Sequence, residues 1–206
     1  MSTWDKLEAI HLDALQEVGN IGAGNAATAL AALLNKRIQM KIPRAGVVSL
    51  KEIPALVGNE EEPVACVEFS VSGSAPSKIL FMLNEKAAFA LIDILLGQEQ
   101  GTTTSLDEMG CSILQEVSNI LTGNFLNAFA ELCNLHFVSS VPAFAFDMLV
   151  AVLTSALLEG GYFSDRIMVI ETEFYTDAAA ISGHFFLIPY NDSLVKILNA
   201  LGLKIE

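Results

Sequence analysis

The sequence predicts an α+β fold built as a pseudo-twofold duplicated unit, a six-stranded and mainly antiparallel sheet with two long repeat-related helices. Two observations carry that expectation. Asp13-Ala-Leu-Gln-Glu17-Val-Gly-Asn20 and Ser112-Ile-Leu-Gln-Glu116-Val-Ser-Asn119 are near copies, and each is followed 23 residues after its asparagine by a proline, Pro43 and Pro142. Aligning 13–43 with 112–142 brings Leu, Gln, Glu, Val, Asn, Ile, Gly, Asn, Ala, Ala, Leu, Asn and Pro into register, the mark of an internal repeat. Second, each copy heads the same series of patterns: helix, strand, helix, two strands, helix. Burying both halves at once calls for one shared sheet related by a pseudo-twofold axis. The chain is therefore read as one domain, 1–206, of two repeats at about 4–97 and 106–202.

Residues 4–35 read as a long helix opened by Ser2 or Thr3, weakened by glycines 19, 22 and 24. Residues 38–50 alternate and are rich in β-branched side chains, so they read as a strand, with Pro43 marking a bulge or an edge. A short helical turn fits 53–57. Two strands at 64–71 and 78–83 flank the hairpin signal Ser72-Gly73-Ser74-Ala75-Pro76, and 85–96 is an amphipathic helix ended by Gly97. After the polar linker 98–104, Ser105-Leu-Asp-Glu108 has the capping-box pattern that opens a second long helix at 106–135. A strand at 136–145, a helix at 147–159, strands at 166–175 and 180–188 and a closing helix at 191–201 complete the second series.

A hydrophobic content of 52% supplies ample core for this length. A formal charge of −13 argues against nucleic acid or anionic membrane and favours a partner with a basic surface. The start of the chain has no basic region followed by an apolar one, so no signal peptide is expected. The most apolar segment, 141–158, is interrupted by Pro142 and Asp147 and reads as a strand end plus a buried helix rather than a membrane span. Cys66, Cys111 and Cys133 are isolated, which fits a reducing cytoplasm and gives no disulfide or zinc pattern. His11, His136 and His184 are equally scattered and are read as structural.

The polar residues of the repeat are what needs a chemical reason. At about 100° per residue, Asp13, Glu17, Asn20 and Gly24 fall within roughly a 60° stripe, as do Ser112, Glu116, Asn119 and Gly123. Leu12, Leu15, Val18, Gly19, Gly22, Ala23, Ala26 and Leu30 lie on the opposite, packing side of the first helix. No Ser-His-Asp order, Walker loop, G-x-G-x-x-G or cluster of metal ligands is present. A carboxylate and a carboxamide one turn apart grip a cation and orient a water; they do not make a covalent nucleophile. The apolar positions diverge between copies, Ala26 against Phe125 and Ala27 against Leu126, while the outward pair does not.

The doubled pattern [Asp/Ser]-x-x-x-Glu-x-x-Asn, followed by 22 residues and Pro, resembles the CheC phosphatases of bacterial and archaeal chemotaxis, within the wider CheC/CheX/FliY family. The resemblance spans essentially the whole chain, and both copies satisfy the full spacing. It implies hydrolysis of the aspartyl phosphate on the response regulator CheY. Asn20 and Asn119 would orient the attacking water, Glu17 and Glu116 would pair with the regulator's active-site lysine, Asp13 and Ser112 would support the stripe, and Pro43 and Pro142 would shape the neighbouring strand. The chain itself would hold no cofactor, with Mg2+ carried by the regulator. The resemblance also implies a second partner, the receptor deamidase CheD, on a helix containing Phe146, Asp147 and Met148. FliY-like extensions are not evident. Ser118 departs from the glycine found at Gly19. The alternative reading is a non-catalytic module that sequesters CheD or a response regulator.

Overall fold

Residues 63–67 and 79–83 are apolar at every position, so the strands they form need cover on both faces. The computed structural model, which describes residues 7–34, 39–41, 45–159, 166–175, 180–190 and 192–204, provides that cover. Its elements run α1 (Ala9–Leu34), β1 (Gln39–Lys41), β2 (Ala45–Ser49), a 3₁₀ turn (Leu50–Glu52), α2 (Ile53–Val57), β3 (Pro63–Gly73), β4 (Ser77–Asn84), α3 (Glu85–Leu96), α4 (Glu108–Cys133), β5 (Phe137–Ser139), β6 (Ala143–Met148), α5 (Leu149–Glu159), β7 (Arg166–Tyr175), β8 (Ala180–Pro189) and α6 (Ser193–Ala200). On one face Ala65, Val67, Phe69, Ile79, Phe81 and Leu83 meet side chains of α1, α3, α4 and α6. On the other, Val64, Cys66, Leu80 and Met82 meet α2 and α5. The sheet is thus the middle of three layers.

The fold is α+β with an antiparallel sheet, as the sequence predicts. The sheet holds eight strand segments in six ranks: β1 with β2, then β7, β8, β4, β3, and finally β5 with β6. That order reads the same from either end once each strand is exchanged for its counterpart in the other half, with β4 and β8 as the central pair. The outer ranks are split because each carries an extra residue. From Ser139 to Ala143 the chain advances four residues while its partner passes only three, from Val71 to Glu68. From Lys41 to Ala45 it again advances four against the three between Glu173 and Ile170. A one-residue bulge on an edge strand is where a proline is tolerated. Pro142 sits in that interval, and Ser140 repairs the ladder by donating from its N–H to the Ser70 carbonyl and accepting from the Ser70 N–H. Pro43 lies outside the described residues.

Several element boundaries differ from expectation. The first long helix begins at Ala9 rather than residue 4, and Ser2 and Thr3 lie outside the described residues. The second is capped by Asp107, whose carboxylate accepts from the Gly110 N–H at 2.7 Å, so the Ser105 box is not used. An aspartate at this position also places negative charge at the positive end of the helix dipole. Phe146, Asp147 and Met148 are not helical: they close β6, opposite Ala65, Val64 and Pro63, and the helix starts only at Leu149. The alternation Ala143-Phe144-Ala145-Phe146, with both phenylalanines half-buried and both alanines exposed, is a strand period that outweighs helix propensity here. The closing helix starts at Ser193 rather than 191.

Three polar side chains fix the layers. Asp93, fully buried in α3, accepts from the backbone N–H groups of Gly101, Thr102 and Thr103 and from the Thr103 hydroxyl, clasping the linker that leads to α4. Burial alone would raise its pKa, but these donors outweigh it and hold the carboxyl below its ordinary range. Lys78, 3% exposed, pairs with Glu68 at 2.5 Å and donates to the Ala156 carbonyl at 2.9 Å, tying α5 to the sheet. His11 is buried; its Nδ1 accepts from the Glu8 N–H, which leaves Nε2 to donate to the Lys204 carbonyl at 3.3 Å. Cys66 and Cys133 are buried, and burial pushes both thiols up, Cys133 to about 11. They fill core, whereas Cys111 on α4 is only half-buried. Among the described residues, no helix is long and apolar enough to cross a membrane.

The closest helix contact is between α1 and α4. A Cβ added at Gly22 would lie 2.7 Å from Phe125 Cδ2 and 3.2 Å from Phe125 Cα. Gly22→Ala should therefore push the two helices apart, and the clash exceeds the gain in helix propensity. We expect a net loss of about 1–2 kcal/mol, read as a lower urea midpoint.

His184 on β8 lines a cavity of about 240 Å³ with Glu171, Glu173, Ser182, Ala55 and Leu56. Burial pushes its imidazole down to about 4. The unfolded chain, with a pKa of about 6.5, then takes up the proton first as pH falls. Its contribution is fully present above about pH 6.5 and is lost on the way down to about pH 4. Denaturant titrations at neutral pH and near pH 5 should show that His184→Phe removes part of the wild-type loss of stability.

Candidate functional site

The two long helices fix where the repeated polar residues point. Both are 26 residues long, and α1 begins and ends 99 residues before the equivalent ends of α4. Leu15, Val18, Gly19, Gly22 and Ala26 are buried on α1, as are Leu114, Val117, Ser118, Leu121 and Phe125 on α4. This is the packing face expected from the sequence, although Leu12 is only half-buried and the side chains of Ala23 and Leu30 lie outside the described set. Asp13, Glu17 and Asn20 are exposed, and so are Ser112, Glu116 and Asn119. The site residues therefore form two outward stripes.

Within each stripe the glutamate and asparagine are three residues apart, about 4.5 Å along the axis and roughly 60° around it. Their polar ends can reach one bound group together. Among the described residues, no hydrogen bond or ion pair engages the side chains of Glu17, Asn20, Glu116 or Asn119. Ser112 differs: its hydroxyl donates to the Glu108 carbonyl at 2.9 Å, bracing the first turn of α4. Ser118 turns inward and donates to the Leu114 carbonyl at 2.6 Å, so replacing the Gly19 equivalent by serine adds nothing to the outer face. Among the described residues, no group of three or more His, Cys, Asp or Glu side chains could hold a metal ion.

The motif misses several residues on the same surface. Ile10 is 57% exposed and Met109 61%, and both are the second residue of their helix. Ile21, beside Asn20, is also exposed. The available signal was a large apolar residue at a polar-face position in both copies.

Phe146, Asp147 and Met148 lie apart from the stripes, on the edge strand. Phe146 packs on Phe89 with ring centroids 6.4 Å apart, while Asp147 and Met148 are exposed. Met148 leads into a cavity of about 250 Å³ between the 3₁₀ turn, α2 and α5, lined by Leu50, Pro54, Leu149, Val150, Leu153 and Leu157 among others.

Comparison with known proteins gives a consistent picture. Residues 10–46 and 109–145 each match the CheC-like family, two segments that contain both stripes and both prolines. The chain is 33% identical over 209 aligned residues to the CheY-P phosphatase CheC of Bacillus subtilis strain 168, covering 100% of each. In three dimensions it resembles FliY of Thermotoga maritima, with a TM-score of 0.76 at 20% identity over 95% of this chain and 98% of that one. It also resembles a chain of the CheX-CheY-BeF3-Mg+2 complex from Borrelia burgdorferi, at TM-score 0.53 and 17% identity over 85% and 97%.

Exposure makes the site separable from the fold. Asn20→Ala and Asn119→Ala, alone or together, should leave stability within about 0.5 kcal/mol of wild type in urea unfolding, because neither amide supports a neighbour.

Proposed function

This chain belongs to the CheC-like family, and on that premise we propose that it is a phosphatase acting on the aspartyl phosphate of the chemotaxis response regulator CheY. The observation that carries the reading is the pair of outward Glu/Asn stripes on α1 and α4, exposed at equivalent positions and unused by the fold. The whole-length likeness to a CheY-P phosphatase supports the substrate. The chain as one domain of two repeats, about 4–97 and 106–202, is part of the same reading, supported by the symmetric strand order and the double family match.

An acyl phosphate is already activated, so little covalent chemistry is needed. Water attacks phosphorus in line, the bond to the aspartyl oxygen breaks, and the carboxylate leaves as inorganic phosphate forms. Asn20 or Asn119 accepts from that water through its carboxamide oxygen and fixes its line of approach. Glu17 or Glu116 pairs with the regulator's lysine and sets the register. The regulator brings the Mg2+ that neutralises the phosphoryl oxygens, and this chain supplies no cofactor. Misplacing the water by about 1 Å would cost on the order of 10²-fold, which is the size of effect an amide can control.

A second surface is assigned to CheD: exposed Val150 lines the cavity along α5, and exposed Met148 stands two residues before it. Asp147, exposed at the end of β6, belongs to this face, whereas Phe146 packs on the opposite side of the sheet against Phe89 of α3. With a regulator and a receptor deamidase as partners, the protein works in the cytoplasm.

Phosphate release from phosphorylated CheY tests the assignment. Asn20→Ala plus Asn119→Ala should reduce the rate to that of the regulator alone, while each single variant keeps the contribution of the intact stripe. Glu17→Gln plus Glu116→Gln should raise KM more than it lowers kcat. Acceleration that survives in the double asparagine variant would falsify the mechanism.

A further inference from the structure

Both stripes extend beyond the Glu/Asn pair, and both extensions carry residues that folding does not explain. At one end stand Ile10 and Met109, seven residues before Glu17 and Glu116 and within about 20° of them around the helix. Each is more than half exposed, so neither is placed by core packing. Exposed acids continue each stripe from there: Asp13 one turn and Glu17 two turns after Ile10, and Glu116 two turns after Met109. At the other end stand Gly24 and Gly123, four residues after Asn20 and Asn119. A helix-interior glycine is unfavourable, and among the described residues nothing requires it: a Cβ at either position would meet none of their atoms within 4 Å. Gly22 on the opposite face shows the contrast, since its missing side chain is filled by Phe125.

We propose that each stripe is a docking footprint for the regulator about 21 Å long, with an apolar anchor at its start and a bare-backbone contact at its end. Ile10 and Met109 insert into an apolar depression on the regulator, flanked by lysine or arginine that meets Asp13, Glu17 and Glu116 along the stripes. Gly24 and Gly123 let the regulator's backbone approach the helix directly, one turn beyond the water-positioning amide. The Glu/Asn pair lies between these two contacts, so the phosphorylated site is held from both sides. This inference rests on the phosphatase reading and names the specificity determinants of that same surface.

Two double variants of the full chain test it against phosphorylated CheY. Ile10→Ser plus Met109→Ser should raise KM about tenfold with kcat unchanged, and Ile10→Leu plus Met109→Leu should restore it. Gly24→Ala plus Gly123→Ala should raise the urea midpoint, because alanine favours the helix and meets no clash, yet also raise KM about tenfold. A fold gained and a partner lost in one variant cannot come from damage to the protein. Either double variant working with wild-type KM overturns the footprint. If the wild-type chain releases no phosphate, the phosphatase reading falls separately, and binding of CheY loaded with beryllofluoride and Mg2+ to the same variants decides the footprint by the same tenfold criterion.

Discussion

The close approach of α1 to α4 is the contact on which the rest of the molecule turns. Both helices must lie on the same face of the sheet, since Leu15, Val18, Leu114, Val117 and Leu121 share one core with Phe81, Ile170 and Leu187. They can do so only if one gives way where they meet, and Gly22 gives way to Phe125. Once that contact is made, the rotation of each helix about its own axis is set. The direction of Glu17, Asn20, Glu116 and Asn119 then follows without any further interaction to hold them. This explains how two side-chain pairs with no partner among the described residues can still be held in place, because the buried face of the same helix fixes where they stand.

Much of this was legible because two periods run through the chain. The 3.6-residue period separated stripe from packing face on α1 and α4, and the repeat of 99 residues predicted that both stripes would share one geometry. The strand runs at 64–71 and 78–83 were readable for the same reason. What could not be read was set by pairing across the chain. Phe146 to Met148 looked like the start of an apolar helix, yet the ladder with Pro63–Ala65 extends them as strand, and no local signal specifies that partner. The cap of α4 lies two residues beyond Ser105, at Asp107, which accepts from the Gly110 N–H; both are good caps, and nothing local separates them. Ile10 and Met109 stand at equivalent places three residues before the two repeats, but carry meaning only once their exposure is known.

Chemistry and scaffold are divided cleanly between the two faces of the sheet. The helices that carry the amides are on one side, and the apolar cavity beside α5 is on the other, tied to the sheet by the Lys78 bonds to Glu68 and Ala156. The strands between the two surfaces, β3, β4, β7 and β8, are packed on both faces.

The crossed strand order has a consequence for the making of the protein. β4 is complete at Asn84, but its partner β8 runs from Ala180 to Pro189, and β3 waits for β6 at Ala143–Met148. At the pace of translation the roughly hundred residues between β4 and β8 take about 5–20 s to emerge. Throughout that interval Ile79 to Leu83 present an unpaired apolar edge of the kind that recruits other chains. The nascent first half thus carries an apolar strand edge that stays open to other chains until β8 has emerged.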